Sequence, residues 1–77
     1  MKEELIEYVK NNVNNSDVEY TYSQMCIQRV PLHYANNNLF NQISDLVDDF
    51  ISDNELSEEW FEETFIDIED LFEYLFD

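Results

Sequence analysis

Nineteen carboxylates, one histidine and one cysteine are the groups in this 77-residue chain best equipped to do chemistry. Nucleophilic catalysis would need Cys26 and His33 to meet as thiol and base. No family signature surrounds either residue. A free cysteine at an apolar spacing ordinarily behaves as a small buried hydrophobe, and His33 stands in a connector beside Pro31 and Tyr34. A surface or structural histidine is therefore the plainer reading. Acid–base work by two carboxylates, as in glycoside hydrolysis, needs one defined pair, and none can be singled out from nineteen acids. The stretch from Asp48 to Glu55 carries no glycine turn and lacks the oxygen spacing of a calcium loop. The expectation is a protein that is not an enzyme and has no cofactor and no dedicated metal site.

What remains is the acid itself. The net charge is -16, and it is unevenly placed. From residue 45 to the last residue there are fourteen carboxylates and no Lys or Arg, Arg29 being the final basic residue. Asp45, Asp48, Asp49, Asp53, Glu55, Glu58, Glu59, Glu62, Glu63, Asp67, Glu69, Asp70 and Glu73 are the candidate partner-binding residues, with Asp77 beyond them. Trp60 and five phenylalanines lie in the same stretch, whereas a solvated acidic tail would lack them. If residues 45–77 ran as one helix, they would cover about 50 Å at ~1.5 Å per residue. That is roughly one charge per 3.5 Å, close to the ~3.4 Å of a DNA strand. The blander reading is a solvated face that keeps a small protein soluble. Ordinary surfaces mix both signs, however. Anionic lipid and nucleic acid would be repelled, so the expected partner is a basic nucleic-acid-binding protein, with no membrane and no nucleic acid bound directly.

Elements must hold these acids in place. Leu5, Ile6, Val9 and Val13 share a helical face over 2–13, and the Asn- and Ser-rich run at 14–17 reads as a loop. Over 18–34 two patterns compete. Thr21-Tyr22-Ser23-Gln24 fits a capping box that opens a helix over 22–29, ended by Pro31. The alternation of Val18, Tyr20 and Tyr22 also fits a hairpin over 18–30, although no glycine is present for its turn. Residues 32–38 read as a connector. Leu39, Ile43, Leu46, Val47, Phe50 and Ile51 then form the strongest apolar stripe, predicting a helix over 38–53. Ser57 and Asp67 read as N-caps of two further helices, with acid in their first turns. The predicted fold is mainly α, a bundle of four to five short helices in a single domain over 1–77, with an α+β fold carrying a small hairpin as the alternative.

Composition agrees with folding. Leu, Ile, Val and Phe supply 24 of 77 residues, about 31%, above the ~20% below which high charge implies disorder. The single cysteine forms no internal disulfide and fits a reducing cytoplasm. The N-terminal Met1-Lys2-Glu3-Glu4-Leu5 does not read as a signal peptide.

The aromatic-acid segments Ser57-Glu58-Glu59-Trp60-Phe61-Glu62-Glu63 and Ile68-Glu69-Asp70-Leu71-Phe72-Glu73-Tyr74, on so small and acidic a chain, resemble the acidic DNA-mimic inhibitors of phages and mobile elements, the anti-CRISPR and anti-restriction class. The resemblance is one of general plan. It implies a non-enzymatic, stoichiometric inhibitor that occupies the nucleic-acid site of a CRISPR effector or restriction enzyme in the host cytoplasm. An immunity- or antitoxin-like protein that neutralises a basic nuclease would use the same electrostatics. An adaptor binding a protein through Trp60, Phe61 and Phe65 would use acid only for solubility.

Overall fold

In the computed structural model, which describes residues 1–76, the chain forms six α-helices and a terminal 3-10 turn, and no strand occurs among the described residues. The helices are α1 (Lys2–Asn12), α2 (Asn15–Gln28), α3 (Leu32–Ala35), α4 (Asn37–Asp53), α5 (Glu58–Phe65) and α6 (Ile68–Glu73), with the 3-10 turn at Tyr74–Phe76. The mainly-α bundle is as the sequence predicts, and the hairpin over 18–30 does not form. The radius of gyration is 12.1 Å, close to the ~11.5 Å of a compact domain of this length.

α4 is the central element, packed on α1, α3 and α6. Its stripe Leu39, Ile43, Val47 and Phe50 is buried together with Leu5 and Val9 of α1 and Leu32 of α3. From the C-terminal side Phe65, Leu71 and Phe72 are fully buried. Rings extend this modest core. Phe50 lies between Tyr8, at 5.8 Å centroid to centroid, and Trp60, at 6.3 Å, so one aromatic chain ties α1, α4 and α5. Such pairs add about 0.5–1.5 kcal/mol each beyond area burial. Lys2 sits 4.3 Å from the Tyr74 ring centroid, and its Nζ donates to the Tyr74 hydroxyl at 3.0 Å, pinning the start of α1 to the 3-10 turn.

α2 departs most from the sequence reading. It begins seven residues earlier than the predicted 22–29 helix, because Asn14 is the N-cap: its side chain accepts from Ser16 N at 2.8 Å and Asp17 N at 3.4 Å. The 14–17 run is therefore a helix start rather than a loop. Thr21 is not a cap but a buried mid-helix residue. The inward face is Val18, Thr21 and the half-buried Met25, while Tyr22, Cys26 and Arg29 are exposed. Cys26 thus fails to take the buried place expected of it. The helix closes on Arg29 with φ 56°, a left-handed cap usually given to glycine.

Asn36 joins three helices. Its backbone N–H caps α3 at Leu32 O, its Oδ1 accepts from Leu39 N at 3.0 Å to start α4, and its Nδ2 donates to Thr21 Oγ1 at 3.1 Å on α2. Without glycine the chain uses side chains for such work. Two further turns place non-glycine residues at positive φ: Glu55 at 53° after α4, and Ile66 at 71° between α5 and α6. Ile66 forms a γ-turn in which Asp67 N donates to Phe65 O at 2.7 Å, a strained place for a β-branched residue. Its side chain is left exposed.

The Asn36 junction predicts a graded loss of stability. Asn36→Ala removes a cap and strands the buried Thr21 hydroxyl, so it should cost about 2–3 kcal/mol in urea unfolding. Thr21→Val leaves the cap in place and should cost about 1 kcal/mol or less. Equal losses would show that the cap contributes nothing.

Candidate acidic binding surface

The acids of 45–73 follow one rule of spacing. Asp45, Asp48, Asp49 and Asp53 stand at i, i+3, i+4 and i+8 on α4, and Glu58, Glu59, Glu62 and Glu63 at i, i+1, i+4 and i+5 on α5. Each set occupies an arc of roughly 140° at ~100° per residue. The complementary arc of each helix is the buried one, so eight carboxylates are exposed because their neighbours must be buried. Glu55, Asp67 and Glu73 are exposed as well.

On α4 their placement runs against the helix dipole. α4 has no acid in its first turn, where the dipole would welcome it, and ends on Asp53 with no basic residue in its last turn. α5 does carry Glu58 and Glu59 in its first turn, yet Glu62 and Glu63 crowd its C-terminal half. Acid near a C-terminus is unfavourable by a few tenths of a kcal/mol or more. Like charges at i and i+4, such as Asp45–Asp49, Asp49–Asp53, Glu58–Glu62 and Glu59–Glu63, each cost about 0.2–0.5 kcal/mol. Helix stability does not account for this pattern.

Two of the thirteen acids have internal work. Asp67 Oδ1 accepts from Asp70 N at 2.9 Å, capping α6. Glu69 is half-buried and reaches across the fold: its carboxylate accepts from Leu32 N at 2.7 Å and His33 N at 3.3 Å, and His33 Nδ1 lies 3.2 Å away. It thereby caps the single turn of α3. Among the described residues Glu69 is the only member of the set placed against a basic side chain, the His33 imidazole. Asp70 is half-buried. Asp77 lies outside the described residues.

The acids do not form a rod. The longest extent of the molecule is 37 Å, short of the ~50 Å that one continuous helix would need. Three helices fold back on one another, and the charge covers a surface. At the seam of α4 and α5 the fold brings Asp48, Glu58 and Glu62 around one cleft of about 120 Å³, with Val47, Ile51, Phe61 and Ile68 as its apolar lining and Ser44 at its edge. Sequence spacing gave no sign of this cleft, because it depends on how α5 and α6 return to α4.

A larger, shallow cavity of about 370 Å³ lies elsewhere, lined by Glu7, Lys10, Asn11, Asn15, Val18, Glu19, Leu75 and Phe76. Its lining mixes charges and amides and holds no histidine or cysteine. His33 contacts Glu69 and the rings of Tyr34 and Phe40, at 6.1 and 5.8 Å, and Cys26 is not among its neighbours. Among the described residues no three His, Cys, Asp or Glu side chains are grouped to hold a metal ion, and no helix is long and apolar enough to cross a membrane.

The Trp60, Phe61 and Phe65 region is not a free surface. Phe65 is fully buried, Phe61 is buried, and Trp60 is half-covered against Phe50. The most exposed large apolar side chains are instead Tyr20, Ile27, Tyr34 and Ile66, all more than 60% exposed. Tyr20 and Ile27 stand seven residues apart on one face of α2, a spacing that periodicity in 18–30 could have shown had its helix been started at Asn14.

No family model, curated protein or solved structure matches this chain.

Repulsion among exposed carboxylates predicts that the fold is stabilised by screening. The melting temperature should rise between very dilute buffer and ~0.5 M sodium chloride, where the Debye length falls well below 10 Å. A melting temperature that falls over that range would remove the dense one-sign surface.

Proposed function

We propose that this protein is a non-enzymatic, stoichiometric inhibitor whose acidic surface stands in for nucleic-acid phosphates and occupies the DNA- or RNA-binding site of a basic host-defence protein. The observation that carries this reading is the pair of carboxylate arcs on α4 and α5, exposed, free of basic neighbours in sequence, crowded with like charges at i and i+4, and on α4 set against the helix dipole. Acid kept at a cost to its own helices is acid with a use outside them. Lys and Arg aligned for phosphates would meet carboxylates in charge-assisted hydrogen bonds. Helices hold those carboxylates at fixed separations, so little side-chain and loop ordering is lost on binding. Long-range attraction would make association fast and sensitive to salt. A CRISPR effector or restriction enzyme is the target class that the resemblance implies, and a basic nuclease toxin would present the same chemistry.

A second reading has its own support. Tyr20 and Ile27 on α2, with Tyr34 exposed nearby in the chain, give an apolar surface for an adaptor. Binding through it would resist salt and be lost on Tyr20→Ala with Ile27→Ala.

Charge reversal separates the two. Capture from cells that carry CRISPR and restriction systems, washed at rising salt, supplies the target. Changing Asp48, Asp49, Glu62 and Glu63 to Lys should then abolish displacement of labelled DNA from that target, with the circular dichroism spectrum unchanged. Full displacement by the reversed protein would sink the phosphate-mimic reading.

A further inference from the structure

We infer that the cleft between α4 and α5 is a receptor for a single arginine side chain of the partner protein. The inference rests on the phosphate-mimic reading for its partner but adds a discrete site that mimicry of charge alone does not need. Four observations converge on it. On α4, Ser44, Val47, Asp48 and Ile51 stand at i, i+3, i+4 and i+7, so one stripe faces the seam. On α5, Glu58, Phe61 and Glu62 do the same at i, i+3 and i+4, and Ile68 of α6 completes the lining. Residues of both helices line the same cleft of about 120 Å³. Among the described residues, no hydrogen bond or ion pair occupies the side chains of Asp48, Glu58 or Glu62.

The lining therefore has two layers. Its floor is apolar, with Val47 and Phe61 buried and Ile51 and Ile68 half-buried, and its rim is three exposed carboxylates. An occupant must be apolar along its length and cationic at its tip. Arginine and lysine both have such stems. Three carboxylates approaching from two helices favour the guanidinium, whose planar fork presents five donors and can engage two carboxylates at once. A compact ammonium has three donors and is more strongly hydrated, so it loses more on entering. A phosphate-binding protein displays such arginines where it meets its nucleic acid. The cleft thus reads one side chain of that row, while the remaining acids supply attraction at longer range.

The test uses the intact protein and fluorescently labelled hexa-arginine and hexa-lysine peptides in about 0.15 M salt. The native protein should bind hexa-arginine about fivefold or more tightly than hexa-lysine, with ¹⁵N–¹H shift changes centred on Ile51, Phe61 and Ile68. The triple change Asp48→Asn, Glu58→Gln, Glu62→Gln should weaken hexa-arginine about tenfold. A control triple of equal charge change, Asp45→Asn, Glu63→Gln, Glu73→Gln, should weaken it about threefold or less, since it lowers only the general attraction. Ser44→Trp fills the cleft without altering charge and should erase the preference for arginine. If that variant melts out, the two triples alone decide the matter. Equal losses in both triples, or equal binding of the two peptides by the native protein, would overturn the cleft and leave phosphate mimicry standing. A retained arginine preference, alongside undiminished DNA displacement by the charge-reversed protein, would remove mimicry and keep the cleft.

Discussion

Mutual repulsion among carboxylates is the constraint around which this small molecule is organised. With a net charge of -16 on 77 residues, compaction brings like charges together, and a domain this size has only about 60% of its unfolded surface to bury in return. The balance is met by placing every large stripe inward. Leu39, Ile43, Val47 and Phe50 on α4 meet Leu5 and Val9 on α1, and Phe65, Leu71 and Phe72 close the other side. Aromatic contacts, from Tyr8 through Phe50 to Trp60, extend that core across three helices. Acid is left on the outer arcs, where water and salt screen it.

The absence of glycine shapes the rest. Helix C-termini that other chains often close with glycine are closed here by other residues, and helix starts are closed by the usual side-chain caps. Asn14, Asn36, Ser57 and Asp67 cap helix starts with their own oxygens. Arg29, Glu55 and Ile66 accept positive φ. Glu69 caps α3 from 37 residues away. That last contact converts one of the acids from a surface charge into a tie between α6 and α3. The acid of the C-terminal half is therefore of two kinds: α4 and α5 hold it free and exposed, while α6 uses part of it to assemble the fold.

Much of this was legible in the residues themselves. The α4 stripe and the caps at Ser57 and Asp67 are local signals, and the structure keeps them. The misreading of 18–30 has a local cause as well. Thr21 with Gln24 imitates a capping box, but Asn14 caps better and seven residues earlier, so Thr21 is carried into the core and paired with Asn36. The turn of α3 was not legible, because its cap comes from Glu69 rather than from a neighbour. The burial of Phe61 and Phe65 follows from their place on the apolar side of α5, and it takes them off the surface that an adaptor would need. The acid surface was legible as composition and helical spacing. Its meeting of Asp48, Glu58 and Glu62 at one cleft depends on tertiary packing that no local pattern encodes.

The acidic arcs of α4 and α5 are proposed to meet a basic partner in place of nucleic-acid phosphates. Titrating the protein against its captured target holding labelled DNA, at several salt concentrations, tests this most directly. The account predicts one-for-one displacement of DNA, with affinity for the target falling about tenfold or more between ~50 and 200 mM salt. A ternary complex in which DNA stays bound, with affinity flat across that range, would contradict it.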